Sequence, residues 1–371
     1  MTRVVLAGCG HAHLEVVRSA RAFSAVGAEL VLVDPGRFWY SGRGSGLLGG
    51  RFGEAHAVID TPRLAAACGI RLVADRVVGL DRAASAILLA SGERLGFDLL
   101  SFNIGSTVRP PGGLEAGQGA KPIAALASLR QQLAAQGGPV RVAIIGGGAT
   151  GCELAGNLLH LRRAAGRPIA VTLVSAAATL VPAAPRGVQA AALDSLAKRG
   201  GLVHLGQSVA SVEAGASAEA GVLTLSSGAL VPFDHLVLAT GLEADPVVHN
   251  LGIASSKAGL RVGETLQSID DPRIFAAGDC AAIEGHDLPK LGVYGVRAAP
   301  VLARNLLATL AGSPLETYRP QRHALSILDL ADGRGLAMRA AFWCGGRAAL
   351  GLKHFLDQRF IDRYQKLYAR N

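Results

Sequence analysis

The sequence predicts an α/β fold built on two βαβ units. The prediction depends on two segments that show the same order of apolar runs and glycine-rich turns. Residues 4–18 contain a short apolar run, a glycine-rich turn and a helix-compatible stretch, and residues 142–155 repeat that order. A further apolar run follows each of them, at residues 28–34 and 170–175. Such an alternation is typical of parallel strands joined by helices that cover a sheet.

The first glycine-rich turn has two of the three glycines typical of dinucleotide-binding turns. Gly8 and Gly10 would let the backbone turn sharply and approach a pyrophosphate, whose charge the following helix N-terminus favours. His13 replaces the third glycine, which serves helix–strand packing rather than phosphate contact. Asp34 lies 21 residues after His13, where such units place a carboxylate that binds the ribose hydroxyls. The spacing therefore predicts a nucleotide site.

His11 and His13 form a His-x-His pair, which also occurs in metal sites. They lie at the predicted start of a helix, and no obvious Cys, His or Asp cluster lies near them in the sequence. We expect no metal and assign both histidines to the nucleotide site.

The second glycine-rich turn is complete. Gly146, Gly148 and Gly151 fill the three glycine positions, with Thr150 before the last of them. The chain therefore carries two Rossmann-like dinucleotide-binding units. The next strand ends at Ser175, where an acid would bind the 2′-hydroxyl of NAD and repel the 2′-phosphate of NADP. Serine does neither strongly, so the sequence does not choose between NADH and NADPH.

Composition excludes several other classes of protein. The 371 residues suffice for two or three domains, and no apolar window is long enough for a transmembrane helix. Five cysteines without a C-x-x-C pair indicate a reducing, cytoplasmic setting rather than a disulfide scaffold. The net charge is +9, but aromatic residues are few and no long Lys/Arg run occurs. We expect no nucleic-acid partner; an anionic cofactor or an anionic membrane surface explains the charge equally well.

Three further strands end in small residues, at Gly105, at Thr240-Gly241 and at Gly278-Asp279. In this order, the motifs resemble the two-dinucleotide-binding-domain flavoproteins of the pyridine nucleotide-disulfide oxidoreductase superfamily. The resemblance implies FAD on the first unit, NADH or NADPH on the second, and a return of the chain to the FAD domain at Gly278-Asp279. It assigns the ribose of FAD to Asp34 and the ribityl chain to Asp279.

The resemblance also divides the chain and completes the predicted sites. It implies an FAD-binding domain in two parts, 1–112 and 255–315, with an NAD(P)-binding domain, 113–254, inserted between them. Residues 316–371 then form a C-terminal interface or membrane-surface region. Gly105, Val77 and Val293 are assigned to FAD, and Thr240 and Gly241 to NAD(P).

The absence of a C-x-x-C pair favours one branch of the superfamily, the type II NADH dehydrogenases and sulfide:quinone oxidoreductases. Residues 40–42, 121–123 and 288–293 resemble an oxidoreductase found beside, or fused to, selenide, water dikinase. The resemblance implies transfer of electrons from NAD(P)H through FAD to a quinone or another small-molecule acceptor. Two alternatives stay open. One is a flavin-bearing partner or regulatory module linked to selenium metabolism, with selenide, water dikinase as its partner; the other is a sulfide or selenide:quinone oxidoreductase that uses Cys152 and Cys344.

Two residues are candidates for direct participation in the chemistry. In related dehydrogenases, a glutamate at the position of Glu153 lies near the nicotinamide–flavin contact, although Glu153 is equally explained as a first-turn residue that favours the helix dipole. Lys290, before a helix that starts near Val293, would add positive charge on the flavin O2 side, or lie in a solvated loop.

The last 30 residues predict a basic amphipathic helix. Its apolar stripe comprises Leu352, Phe355, Leu356, Phe360, Tyr364, Leu367 and Tyr368, and its interspersed basic residues are Lys353, Arg359, Arg363, Lys366 and Arg370. In type II NADH dehydrogenases, such a region seats the enzyme on the membrane. The resemblance implies peripheral contact of residues 350–371 with the inner face of an anionic membrane. The alternative is packing on its own FAD domain or across a homodimer.

Overall fold

A computed structural model describes residues 1–108, 110–115, 117–214 and 220–369. Its α-helices are α1 (His11–Arg18), α2 (Ala20–Ala25), α3 (Gly44–Leu48), α4 (Thr61–Cys68), α5 (Ile123–Ala135), α6 (Ala149–Ala164), α7 (Arg186–Lys198), α8 (Gly292–Leu310) and α9 (Arg347–Tyr368). Short 3₁₀ turns occupy Ser41–Arg43, Glu54–His56, Pro246–Asn250 and Gly278–Cys280.

The first unit is built on a five-stranded parallel sheet. Its strands in spatial order are Ile274–Ala276, Leu99–Phe102, Thr2–Ala7, Ala28–Val33 and Arg71–Val73. The central run Val4–Ala7 is fully buried, as expected for a parallel strand covered on both faces. Because Ile274–Ala276 is an edge strand of this sheet and α8 packs on α1, the predicted return of the chain to the first unit is confirmed.

The second unit is built on its own five-stranded parallel sheet. The strands in spatial order are Gln118–Gly119, His235–Leu238, Val140–Ile145, Ile169–Ser175 and Leu202–Leu205. The crossover from Leu202–Leu205 to His235–Leu238 contains an antiparallel sheet of Val209–Ala214, Gly221–Leu225 and Leu230–Phe233. The fold is therefore α/β with the second Rossmann-type domain inserted into the first, as predicted.

The two crossings between the units run side by side. Ser106–Thr107 pairs antiparallel with Glu243–Ala244, so the outgoing and returning chains form a short two-stranded ribbon. Val248, Leu251 and Ile253 already belong to the core of the first unit. The chain thus rejoins the first core before residue 255, where the sequence places the second part of the FAD domain.

Smaller antiparallel elements surround the first sheet. One is a pair of strands, Arg37–Trp39 and Val58–Asp60, and another is a three-stranded sheet of Val77–Asp81, Ala86–Leu89 and Arg94–Gly96. In a third sheet, Gly259–Val262 pairs antiparallel with Ser255–Ser256 and parallel with Ala281–Ile283.

The C-terminal region spans both units. An antiparallel sheet of Ser326–Asp329, Gly335–Arg339 and Phe342–Gly346 contributes Leu328 and Leu336 to the core of the second unit. Helix α9 then crosses to the first unit, where Ile361 and Tyr364 are buried.

The predicted single stripe on this helix is divided in two. Phe360, Tyr364 and Tyr368 are at most 9% exposed against the first core, and Leu367 packs on it, whereas Leu352, Phe355 and Leu356 are 43%, 58% and 42% exposed. Packing on its own domain therefore explains the C-terminal half of the helix. Arg370, the last predicted basic residue, lies outside the described residues. Among the described helices, none is long and apolar enough to cross a membrane.

Candidate functional site

A cavity of about 860 Å³ opens where the strands of the first sheet end at their carboxyl termini. Most of the residues assigned to the first nucleotide line it: Gly8, Gly10, His11, Asp34, Val77, Gly105, Gly278 and Asp279. We call it the flavin cavity below, because its residues fit FAD. Ligands in open α/β folds bind at this edge, where the helix N-termini also point.

The glycine-rich turn is held against Asn103, a residue that the sequence analysis missed. A Cβ atom on Gly10 would overlap the Asn103 side chain, and Gly8 has a left-handed backbone. The Asn103 amide oxygen accepts from the backbone N–H groups of Ala12 (2.8 Å) and His13 (3.2 Å). The N–H of His11, in the same first turn, keeps no partner among the described residues and is free for an anion such as a pyrophosphate.

Asp34 is oriented by three hydrogen bonds. One carboxylate oxygen accepts from the Cys9 N–H (2.9 Å), and the other accepts from the Gly36 N–H (2.9 Å) and the Thr61 hydroxyl (3.0 Å). A carboxylate offers about four lone-pair sites, so Asp34 retains capacity for a ribose hydroxyl. The fixed acid on the cavity wall fits the adenosine end of FAD.

His13 does not line the cavity, which corrects its assignment to cofactor contact. Its side chain is fully buried behind the turn, with Nδ1 2.5 Å from the Gly8 carbonyl and Nε2 2.8 Å from the Ser101 hydroxyl. Burial lowers the pKa of His13 to about 4, so the imidazole is neutral at physiological pH. The residue that replaces the third glycine therefore fastens the turn to the neighbouring strand.

Asp279 lies at the far side of the cavity beside Lys121, a second residue missed as a site residue. Its Oδ2 accepts from the Lys121 ammonium (2.7 Å) and from the Ser106 hydroxyl (2.7 Å). Burial alone would raise the pKa of Asp279, but Lys121 and Ser106 hold it below its usual value. The only hint in the sequence was the Lys121-Pro122-Ile123 motif, quoted for its resemblance alone.

Two predicted residues are near the cavity without lining it. The Lys290 ammonium donates to the backbone carbonyl of Asp279 (2.5 Å) and to that of Ala258, and burial lowers its pKa. It therefore fastens the loop that carries Asp279. Val293 lies in the first turn of α8, but its neighbours Gly292 and Gly295 are the residues that reach the flavin cavity.

A second cavity, of about 840 Å³, lies where the second glycine-rich turn meets the first unit and the C-terminal region. We call it the nucleotide cleft. Gly148 lines it, and Thr150 and Gly151 follow in the first turn of α6. A Cβ atom on Gly151 would overlap the Gly146 carbonyl oxygen, so this glycine is required for close approach of the helix to the strand.

The other residues predicted for NAD(P) lie at the ends of neighbouring strands. Ser175 ends its strand and is 3% exposed, with its hydroxyl close against Gly147. Thr240 and Gly241 follow the strand His235–Leu238 and are exposed. None of these three lines the nucleotide cleft itself.

The flavin cavity and the nucleotide cleft lie close to each other. A small cavity of about 30 Å³ shares Gly278 and Asp279 with the flavin cavity and shares Leu288, Pro289 and Tyr294 with the nucleotide cleft. A dinucleotide on α6 and a flavin on α1 would therefore meet near these residues.

Glu153 belongs to a cluster of charges that the C-terminal helix completes, in which Asp329 and Asp357 are buried. Its Oε1 accepts from the Asp329 N–H (2.8 Å). Burial raises the pKa of Glu153 to about 7, and the nearby Lys353 ammonium opposes that rise. Lys353 itself donates to the Gly42 carbonyl (2.8 Å) and to Asp357 (3.0 Å). From the sequence, Lys353 counts only among the interspersed basic residues of the helix, because Gly42 and Glu153 are far away in the chain.

The two cysteines of the alternative redox pair are in different environments. Cys152 is buried in α6 with its thiol 3.6 Å from the Gly147 carbonyl, and burial raises its pKa to about 12. Cys344 is exposed on the strand Phe342–Gly346, and both are free thiols. A thiol with so high a pKa is a poor nucleophile, which disfavours this alternative. In the described part of the chain, no group of three His, Cys, Asp or Glu residues could hold a metal ion.

Comparisons with known proteins agree with this architecture. A family model described as pyridine nucleotide-disulphide oxidoreductase matches residues 2–301. The type II NADH:quinone oxidoreductase of Haemophilus influenzae is 32% identical over 194 residues, which are 48% of this chain and 42% of that enzyme. The nitric oxide reductase FlRd-NAD(+) reductase of Aeromonas salmonicida is 29% identical over 282 residues, which are 74% of this chain and 69% of that protein. The match thus spans less than half of the Haemophilus enzyme.

A solved structure shares the fold over nearly the whole chain. The sulfide:quinone oxidoreductase from the hyperthermophilic bacterium Aquifex aeolicus superposes with a TM-score of 0.80 at 18% identity, over 99% of this chain and 92% of that one. With the family match over residues 2–301, and with neighbouring cavities where the sequence places FAD and a pyridine nucleotide, the chain belongs to the pyridine nucleotide-disulphide oxidoreductase family.

Proposed function

We propose that the protein is an NAD(P)H:quinone oxidoreductase that works at a membrane surface. The observation that carries the proposal is the path of α9. The helix exposes Leu352, Phe355 and Leu356 near its start, and its Phe360 then stacks on Tyr40 with ring centroids 4.6 Å apart. Phe360 also lies 5.4 Å from His11, which lines the flavin cavity. One helix therefore joins an exposed apolar surface to the wall of the flavin cavity.

The nature of the acceptor follows from what the site offers. Disulfide reductases need a redox-active cysteine pair, and the free cysteines Cys152 and Cys344 do not provide one at the cavity. The aromatic side chains Phe38 and Trp39 line the flavin cavity, which suits an apolar acceptor. The Haemophilus relative is named as an NADH:quinone oxidoreductase, which supports a quinone.

The reaction converts NAD(P)H, a proton and a quinone into NAD(P)⁺ and a quinol. The flavin cavity would hold FAD, which would supply two-electron transfer between the nucleotide and the acceptor. The chain must orient both partners and deliver one proton. Glu153 is the residue we propose for that proton, because a carboxyl group with a pKa of about 7 is protonated in half of the molecules near neutral pH.

Glu153 is connected to the flavin side through the charges on α9. Asp357 accepts from Lys353 (3.0 Å) and from the Tyr40 hydroxyl (2.9 Å), so the cluster extends from α6 to Tyr40, whose ring stacks on Phe360. Asp329, whose N–H bonds Glu153, pairs with Arg51 at 2.5 Å. The His354 ring lies 3.4 Å from Asp329 and is 40% exposed. The cluster is therefore in contact with solvent, which can supply a new proton to Glu153 after each transfer.

Membrane contact follows from the composition of the same helix. The exposed side chains Leu352, Phe355 and Leu356 can enter the interface between headgroups and acyl chains. Arg359 and Arg363 are exposed further along α9, and each basic residue near an anionic surface contributes about 1 kcal/mol. These terms favour a reversible association that salt weakens.

The first test is anaerobic mixing of the purified flavoprotein with NADH and with NADPH. We expect bleaching of the flavin absorbance by at least one nucleotide, and its recovery when a soluble quinone is added. Bleaching without recovery by any quinone would refute the proposed acceptor and leave a protein or another small molecule in its place.

The second test separates the membrane from the chemistry. Replacement of Leu352, Phe355 and Leu356 by serine is expected to abolish binding to phosphatidylglycerol vesicles at low salt and to spare flavin content. A control with Val26, Leu202 and Leu230 replaced by serine removes three side chains of 56%, 62% and 66% exposure elsewhere. If both variants bind vesicles like the unchanged protein, the exposed face of α9 is not a membrane contact.

A further inference from the structure

The nucleotide cleft has a wall that neither dinucleotide unit supplies. Residues 320–324 and 338–340, from the C-terminal region, line the same cavity as Gly148 and Ala149 at the start of α6. The segment is fixed near the flavin side, because the Tyr318 hydroxyl donates to the Tyr294 carbonyl at 3.2 Å and Tyr294 also lines the cleft.

This wall carries positive charge without a matching carboxylate. Arg322, His323 and Arg339 line the cleft, and in the described part of the chain none of their side chains forms a hydrogen bond or an ion pair. The one carboxylate that lines the cleft is Asp287. Unpaired arginines beside the N-terminus of α6 create a positive potential, which favours an anion in the cleft.

Gln321 gives an independent indication that a ligand belongs here. Its side-chain oxygen is buried and has no hydrogen-bond partner, although the residue lines the cleft. A buried acceptor without a partner is unfavourable by about 1–3 kcal/mol, so its position calls for a donor that the described part of the chain does not provide. The carboxamide N–H₂ of a nicotinamide is such a donor.

The second unit offers no such charge to the cleft. Its cleft-lining residues, Gly148, Ala149 and residues 181–185, are uncharged, and Ala176, Ala177 and Ala178 follow Ser175. We propose that the C-terminal segment is the third wall of the pyridine-nucleotide site: Arg322 and Arg339 bind a phosphate of the nucleotide, and Gln321 accepts from its nicotinamide carboxamide. The inference rests on the proposed function only in that the protein must bind NAD(P)H.

The test measures binding of the oxidised nucleotides, so that no electron transfer occurs. The dissociation constants of NAD⁺ and NADP⁺ are determined by titration calorimetry for the flavoprotein and for an Arg322→Gln/Arg339→Gln variant. The control is Arg319→Gln/Arg347→Gln, which removes the same charge from exposed positions of the same region that do not line the cleft. Flavin content and the visible spectrum verify that both variants fold.

We expect the cleft variant to raise the dissociation constant by about tenfold for each lost charge-assisted hydrogen bond, and the control to leave it unchanged. An equal rise for NAD⁺ and NADP⁺ assigns the arginines to the pyrophosphate, and a rise for NADP⁺ alone assigns them to the 2′-phosphate. Equal constants for the cleft variant and the control overturn the assignment of the arginines.

The role of Gln321 has its own readout. Gln321→Leu is expected to weaken binding of NAD⁺ but not of ADP-ribose, which lacks the nicotinamide. Equal effects on both ligands, or none on either, overturn this part of the inference. If the unchanged protein binds neither NAD⁺ nor NADP⁺ and neither reduced form bleaches the flavin, the proposed function fails together with the inference. Nucleotide binding without an effect of the variants refutes the inference alone.

Discussion

Replacing Glu153 by glutamine should change the pH dependence of stability in a way that its environment determines. Burial raises the pKa of Glu153 from its usual 4.5 to about 7 in the folded protein. The folded state therefore holds the proton more tightly than the unfolded state does. Its contribution to stability is complete below pH 4.5 and is lost as the pH rises through 7.

The size of the effect follows from that difference in pKa. One pKa unit corresponds to about 1.4 kcal/mol, so titration of Glu153 lowers the free energy of unfolding by about 2–3 kcal/mol between pH 5 and pH 8. Glutamine keeps an oxygen that can accept from the Asp329 N–H, and Lys353 keeps Asp357 as a partner at 3.0 Å. Relative to the unchanged protein, Glu153→Gln should therefore gain about 2–3 kcal/mol on going from pH 5 to pH 8.

Urea unfolding followed by circular dichroism, at both pH values and with saturating FAD, measures this gain. Glu93→Gln is a suitable control, because Glu93 is exposed and far from the cluster in sequence. The free energies of unfolding of Glu153→Gln and of the unchanged protein could instead differ by the same amount at pH 5 and at pH 8. That result would show that Glu153 is ionised in the folded state at both pH values. The assignment of the catalytic proton to this residue would then be refuted.

Three further predictions concern the cofactors. Asp279→Ala should give a folded but largely colourless protein, because Asp279 lines the flavin cavity and its loss leaves the Lys121 ammonium, now 2.7 Å from it, without a carboxylate partner; a fully yellow variant would contradict the assignment. Anaerobic dithionite titration should end at two electrons per flavin, whereas a four-electron endpoint would restore Cys152 and Cys344 as a redox pair. Ser175→Glu should shift preference toward NADH by about 1–2 kcal/mol if the carboxylate gains one hydrogen bond, and an unchanged NADH/NADPH ratio in a protein that uses both would refute this.

The two nucleotide units could be predicted from sequence because each depends on residues close together in the chain. Gly8, Gly10 and Asp34 fall within one βαβ unit, and their spacing reports directly on backbone geometry. The role of Asp279 came through the resemblance, which supplied the return of the chain to the first sheet. The structure confirms that return.

The supporting interactions could not be predicted, because they join residues that are distant in sequence. His13 bonds Ser101, Asn103 holds the first turn of α1, and Lys121 pairs with Asp279. Each side chain alone looks like an ordinary core or surface residue. Helix α9 is a further example. Periodicity predicted its apolar stripe, but the surface that each half of the helix contacts depends on where two other domains lie.

The late position of one strand has a consequence for synthesis of the protein. Ile274–Ala276 and α8 complete the first sheet, so its core stays open until most of the chain has left the ribosome. The inserted unit is continuous in the chain, and all five strands of its parallel sheet lie between Gln118 and Leu238. We expect this middle unit to fold first and the N-terminal strands to wait for their last neighbour, exposed to chaperones in the meantime.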